Sequence, residues 1–515
     1  MQPIRLIAGF LTVGFWTLAS RVLGFVRDIL IAAYLGAGPV AEAFLIAFAL
    51  PNMFRRFFAE GAFNMAFVPM FSKRYEAGQD PKAFARDAMS GLTAILLLLT
   101  LVAQAAMPWL VLAMASGFQG DERFELAVGF GRIAFPYILF ISLAALLSGV
   151  LNATGRFAAA AGAPLLLNLI LSLAMYGAHR NGADVGLALA WGVPVAGVAQ
   201  LALLWWAAAR AGFRLVPGRP RLTPEMKRLA IIAMPAMLAG GVVQINLIVG
   251  RQVASFYDGA VAWLGYADRL YQLPLGVVAI AIGVVLLPDL SRRLSQGDTA
   301  GGRDAFNRAA EFSLMLTVPA AVALMVIPVP LVATLFERGA FGADDTVNTA
   351  LALAIYGLGL PAFVMQKVLQ PLYFAREDTK APLRYALIAM VINAAAAIGL
   401  APIIGFAAAA LATTLAGWIM VWQLARGARR MGEAAETDAR FRRRLARTIL
   451  ASGLMGVILW MGNLSVFPIV EYAAGDALAL ATLVLVGLIS YFGLGHLLGA
   501  FRLSEFTRAL RRGQG

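Results

Sequence analysis

The chain alternates long apolar blocks with short polar breaks, and most blocks reach the roughly 20 residues that a helix needs to cross a ~30 Å hydrocarbon core. The blocks fall near 6–34, 39–71, 87–114, 126–151, 158–177, 185–209, 229–255, 260–290, 309–336, 346–374, 383–399, 403–424, 447–465 and 475–500. They predict an all-α polytopic membrane protein of about fourteen transmembrane helices. The first, second, eighth and ninth blocks exceed a simple span, so they should tilt, bend or run beyond the bilayer. Gly14, Gly24, Pro51, Gly61, Pro274 and Gly276 lie inside three of these blocks, and such bends suit helices that line a cavity.

Composition supports the pattern: 61% of residues are hydrophobic, only 14% are charged, and mean hydropathy is +0.79. A soluble domain carries about a quarter charged residues, and no long polar stretch exists here to build one. The net charge of +14 does not point to nucleic acid, because the cations sit in short runs between apolar blocks. With no cysteine and only His179 and His496, neither a disulfide framework nor a histidine metal centre is expected. The early Arg5 precedes an apolar run too long for a signal peptide and interrupted by its own arginines, so a retained first helix is expected.

Loop charge sets the orientation. Alternate loops from the N-terminus carry nearly all the loop cations, from Arg5 and Lys73-Arg74 through Arg156, Arg292-Arg293 and the arginine run Arg426 to Arg447. The other loops hold only Arg123, Arg180 and Arg338. The positive-inside rule then predicts both termini in the cytoplasm and an even number of spans. An internal repeat accompanies this asymmetry. Pro69, Ser72, Lys73, Arg74 and Gly78 recur as Pro288, Ser291, Arg292, Arg293 and Gly297, and the stretch from Arg156 to Pro164 resembles that from Arg376 to Pro382. Two parallel six-helix lobes with pseudo-two-fold symmetry are predicted, residues 1–215 and 216–430, followed by two more helices and a tail in 431–515. The tail from 501, with its arginines beside Phe501, Phe506 and Leu510, reads as an interfacial amphipathic stretch.

Eight cations remain within apolar blocks: Arg21, Arg27, Arg55, Arg56, Arg132, Arg251, Arg269 and Lys367. An arginine at mid-membrane depth costs about 2.5–3.5 kcal/mol, so four of them facing lipid would cost on the order of 10–14 kcal/mol. They should face water or one another. Local pairing is one reading: Arg27 with Asp28, Arg56 with Glu60, Arg269 with Asp268, and Glu42 near an outer end narrows the remaining excess to one. Counting pairs therefore does not decide the matter. The planar guanidinium fork does suit phosphate oxygens, and arginines from three blocks could surround a diphosphate-like group in a hydrated cavity. Arg21, Arg27, Asp28, Arg55, Glu60 and Arg269 are the candidate binding residues; Glu42, Arg56, Asp268, Gln244 and Arg251 form a second tier that lines or gates the cavity. Arg132 is expected to snorkel, Arg251 and Lys367 could line the cavity or reach an interface, and Gln244 and Asn246 suit interhelical hydrogen bonds. Gly357-Leu358-Gly359 lies in apolar helix and carries no nucleotide-loop meaning.

Ser20-Arg21-Val22-Leu23-Gly24-Phe25 with Arg27-Asp28, the stretch Leu50 to Phe63, Ala66-Phe67-Val68-Pro69 and Tyr266-Ala267-Asp268-Arg269-Leu270 together resemble the bacterial lipid II flippases (MurJ/MviN) of the multidrug/oligosaccharidyl-lipid/polysaccharide exporter superfamily. The resemblance covers essentially the whole chain. It implies movement of the undecaprenyl-pyrophosphate-linked peptidoglycan precursor from the cytoplasmic to the periplasmic leaflet of the bacterial inner membrane, by alternating access and without covalent chemistry. It implies that Arg21, Arg27, Arg55 and Arg269 are essential cavity arginines, with Asp28 and Glu60 at family acidic positions around them. Glu42 stands where members often have Asp, and Ala49 where some have Lys. The last two helices would form an apolar groove for the isoprenoid tail. The implied partners are lipid II and membrane lipids, with no nucleic acid and no cofactor; the chain is expected to be monomeric, with association with cell-wall synthesis machinery and coupling to the membrane potential or an ion left open. Arginines argue against a drug exporter of the same superfamily, whose cationic cargo calls for carboxylates. Short external loops with Asp344-Asp345 as their one acidic pair argue against a lipid-linked-sugar transferase or polymerase.

Overall fold

The computed structural model describes residues 3–55, 62–281 and 287–501. Among them are eighteen α-helices and no strand. Ten helical stretches are long and apolar enough to cross a membrane, and they coincide with ten of the predicted blocks. The other four blocks are the first, second, seventh and eighth, which hold most of the arginines that interrupt apolar sequence.

The chain divides into two compact units: Met1–Ala262 with Arg338–Gly342, and Trp263–Glu337 with Ala343–Gly515. In the first unit, α1 (Pro3–Leu35) packs on α7 (Ala158–Arg180), which forms a hairpin with α8 (Val185–Arg210). The long second block is two helices, α2 (Pro39–Arg55) and α3 (Ala62–Glu76). α2 packs on α5 (Glu122–Ala134), α6 (Tyr137–Ala153) and α8, while α3 packs on α6 and α9 (Pro224–Ala254). α4 (Pro81–Met114) lies outermost, with only 22% of its apolar span buried, and Leu98, Leu101 and Trp109 are exposed on it. In water such a face would drive aggregation; in a bilayer it is the lipid contact.

The second unit contains α10 (Ala260–Ala281, from Trp263 onward), α11 (Leu287–Ser295), α12 (Thr299–Val326), α13 (Pro328–Phe336), α14 (Ala343–Phe374), α15 (Lys380–Ile404), α16 (Ala407–Ala428), α17 (Ala439–Ala474) and α18 (Asp476–Leu497). α14 packs against α12 and α16, and the α17–α18 hairpin leans on α12. The over-long ninth block is broken where Ile327 leaves helical geometry ahead of Pro328. Proline has no amide hydrogen to continue the ladder and restrains the residue before it.

Polar punctuation sets the helix starts. Asp80, Asp121, Asp184, Thr223, Asp298 and Asp438 each accept a hydrogen bond from a first-turn amide of the helix that follows, and such caps are worth about 1 kcal/mol each. The repeat is visible at this level. Gly78 after α3 and Gly297 after α11 take left-handed φ of +66° and +75°, and each leads within two residues to a capping aspartate, Asp80 or Asp298.

Candidate functional site

α1 presents Ser20, Gly24 and Arg27 at positions i, i+4 and i+7, hence on one face, and that face meets α7. Arg27 and Asp28 are both 7% exposed. The Arg27 Nε and Nη2 donate to Asp28 Oδ1 at 3.1 and 2.7 Å, and Nη1 donates to Asn168 Oδ1 at 2.9 Å. Asn168 in turn donates through Nδ2 to the Ser20 carbonyl at 2.9 Å. The Arg27 guanidinium also lies 5.9 Å from the centre of the Phe48 ring. Pairing of Arg27 with Asp28, one of the two sequence readings, is therefore present, and a third residue completes it. Asn168 was not singled out from the sequence. The signal was its position as the one amide in the apolar run Leu165 to Leu171.

Arg21, six residues earlier on α1 and about 120° around it, is different. It is exposed and holds no hydrogen bond or ion pair among the described residues. Arg55 is the half-buried last residue of α2, where a cation complements the helix dipole. Arg56 and Glu60 lie outside the described residues, as does the tail beyond Phe501. Gln244 sits within α9, but its side chain is also outside the described set. Arg251 is half-buried in the last turn of α9. On α10 in the second unit, Arg269 is exposed, and Asp268 is half-buried and accepts a hydrogen bond from Gln272.

Glu42 has a dense set of partners. It is 1% exposed, accepts from Arg123 Nη1 at 3.0 Å through Oε2 and from the Val261 amide at 2.9 Å through Oε1. Arg123 also binds Asp121 at 2.5 Å and Asp258 at 2.8 Å, and stacks over Phe118 at 4.6 Å. This cluster ties α2, the start of α5 and the loop after α9 into one unit. Burial pushes the Asp121 carboxyl up, but hydrogen bonds from the Arg123 amide and guanidinium outweigh it and hold the group below its ordinary value. Sequence reading had counted Arg123 only as one of the few external cations.

The second unit also contains an apolar cavity of about 420 Å³, lined by Leu270 of α10, Leu316 and Pro319 of α12, Leu459 of α17, and Leu483 and Tyr491 of α18. The Tyr491 hydroxyl is satisfied by the Met315 carbonyl at 2.5 Å, so the walls present carbon. Such a space can hold a lipid chain without stripping water from any polar group.

A family model described as "Lipid II flippase MurJ" matches residues 31–476. The "Probable lipid II flippase MurJ" of Rhizobium tropici is 44% identical over 99% of this chain and 97% of its own length. The "Lipid II flippase MurJ" of Burkholderia cenocepacia is 35% identical over 98% of this chain and 99% of its own. A solved structure described as "Lipid II flippase MurJ, inward closed conformation" aligns with a TM-score of 0.80 at 25% identity, covering 94% of this chain and 98% of that one. An inward-facing multidrug resistance MATE transporter of the MOP superfamily aligns with a TM-score of 0.65 at 15% identity, over 81% of this chain and 96% of its own, which is a likeness of fold alone. An all-helical membrane chain with buried and exposed arginines in its first helix, matched along nearly its whole length by these relatives, belongs to the MurJ family of lipid II flippases.

Proposed function

We propose that the chain is a transporter that carries lipid II across the inner membrane, from the cytoplasmic to the periplasmic leaflet, through alternating access of a hydrated cationic chamber. The observation that carries this is the exposure of the Arg21 guanidinium on α1, which holds no hydrogen bond or ion pair among the described residues, within a largely apolar helix; Arg269 on α10 is exposed as well. Facing lipid, an arginine would cost about 2.5–3.5 kcal/mol; facing water, Arg21 offers a planar fork to a diphosphate. Arg55, Arg56, Arg251, Asp268, Gln244 and Glu60 are the further substrate-binding or gating residues of this reading. Arg27 and Asp28 contribute mainly by fixing the α1 face, and Glu42 by fixing α2. The undecaprenyl tail stays in the bilayer and rests against the apolar cavity of α10, α12, α17 and α18. Both termini lie in the cytoplasm, in keeping with the loop charges. The lobes 1–215 and 216–430 act as the moving bodies, with 431–515 appended, in a monomer.

Arg21→Ala and Arg269→Ala should each lower lipid II transport in proteoliposomes by about 10-fold or more, since a charged hydrogen bond is worth roughly 1.5–3 kcal/mol. Protein level and melting temperature should stay at wild-type values, because neither group is buried. Transport at the wild-type rate by the double variant would overturn the reading.

A further inference from the structure

We propose a second anionic-ligand site in the first unit, for the phosphate of an anionic membrane phospholipid, held by Arg156 and Arg210. A cavity of about 580 Å³ lies at the start of α7 and the end of α8, lined by Thr12, Leu151, Arg156, Phe157, Trp206 and Arg210 among others. Arg210 is clamped with its guanidinium 4.3 Å from the centre of the Trp206 ring, and Arg156 Nη1 donates to the Arg210 carbonyl at 3.4 Å. Two like charges thus share one concavity. Neither has a carboxylate partner among the described residues, although other basic residues of the same loop set are paired: Arg74 with Glu225, Arg293 with Asp289, Arg303 with Glu433 and Arg308 with Glu311.

The internal repeat gives a control. Arg376, which corresponds to Arg156 in the second copy, is half-buried and donates to the carbonyls of Leu372 at 2.9 Å and Met431 at 3.2 Å. Its fork is occupied by the chain itself, whereas Arg156 is exposed with one long bond. The location selects a lipid over a soluble anion. α7 and α8 are both membrane-crossing helices, the cavity is at their ends, and Trp206 is 56% exposed beside it. Tryptophan at a span end marks the head-group layer, and basic pockets between spans at that level take anionic head groups. Phe157, Ala158 and Ala159 of the α7 start line the same space, and Phe157 supplies no side-chain cap there.

The test is a titration of delipidated full-length protein with phosphatidylglycerol or phosphatidylcholine, followed by native mass spectrometry. Wild type should hold one phosphatidylglycerol in preference to phosphatidylcholine. Each basic residue near an anionic head group is worth about fivefold, so Arg210→Gln should weaken the preference about fivefold and the Arg156→Gln, Arg210→Gln pair about 25-fold. The Arg156→Lys, Arg210→Lys pair should retain most of it, and Arg21→Ala with Arg269→Ala should retain all of it. Equal retention of the two lipids by wild type, or unchanged preference in both glutamine variants, would overturn the site. Displacement of phosphatidylglycerol by millimolar inorganic phosphate would overturn the lipid as its occupant. Loss of the preference in the Arg21→Ala, Arg269→Ala variant would assign the lipid to the substrate chamber instead.

Discussion

Arg21 and Arg27 are six residues apart on one helix, about 120° around it from each other, and their surroundings give them opposite roles. Arg27 uses three of its nitrogens on Asp28 and Asn168 while almost fully buried; Arg21 is exposed and uses none. Taking away Asn168 strands polar groups that α7 keeps from water, and an unsatisfied buried group costs about 1–3 kcal/mol. Asn168→Leu should therefore lower the unfolding free energy by about that amount, read as a fall in melting temperature in detergent. An unchanged melting temperature would mean that Arg27 does not depend on α7. Arg27→Lys should also destabilise, because an ammonium cannot reach Asp28 and Asn168 with a single planar fork. Both arginines could be singled out in the sequence as charges inside an apolar block. Their difference could not, because Asn168 is 141 residues from Arg27 and only helix packing brings it near.

At the scale of elements, the turns and caps carry predictions of their own. Asp438 caps α17 by accepting from the Phe441 amide at 2.5 Å, and it pairs with Arg308 of α12. Burial pushes its carboxyl up, but the Phe441 amide and Arg308 outweigh that and hold it below the usual carboxylate value. A carboxyl depressed in the folded state stabilises it above the unfolded pKa of about 4, and that contribution disappears as pH falls through the folded value. Amide exchange at Phe441, corrected for its intrinsic rate, should accelerate below about pH 4. The Asp438→Ala variant should lose about 1 kcal/mol of cap stability and show no such acid step. A second test concerns the short turn Arg338–Gly342, which belongs to the first unit although it lies between α13 and α14. The Ala340 amide donates to the Ala33 carbonyl at 2.8 Å, and a Cβ on Gly339, at φ +62°, would stand 2.1 Å from that same oxygen. Gly339→Ala must move backbone, so its loss of stability should exceed that of Gly78→Ala. There the φ of +66° has open space around it, and the cost should be only the roughly 1 kcal/mol of a left-handed alanine. Equal melting temperatures for the two variants would mean that the turn does not rest on α1. The caps and the break before Pro328 are legible from local chemistry; the docking of this turn is not.

For the whole molecule, the sign of the membrane potential gives the remaining prediction. An anionic head group moving outward from a negative interior gains about 2.3 kcal/mol per charge per 100 mV. Collapsing an inside-negative potential in proteoliposomes should therefore slow lipid II transport, and an unchanged rate would exclude this coupling. Sequence alone determined that the chain is a helical membrane protein, because apolar block length and loop-charge asymmetry are one-dimensional properties that a bilayer reads directly. It also determined which charges are costly enough to need an explanation. Tertiary structure decided the surroundings of particular cations: Asp28 and a buried amide for Arg27, an exposed position for Arg21, and, among the loop cations, three carboxylates around Arg123 and a shared concavity for Arg156 and Arg210. Asn168 is 141 positions from Arg27 and Glu42 is 81 from Arg123; partners that far apart are set by which helices pack together, and no local spacing encodes them.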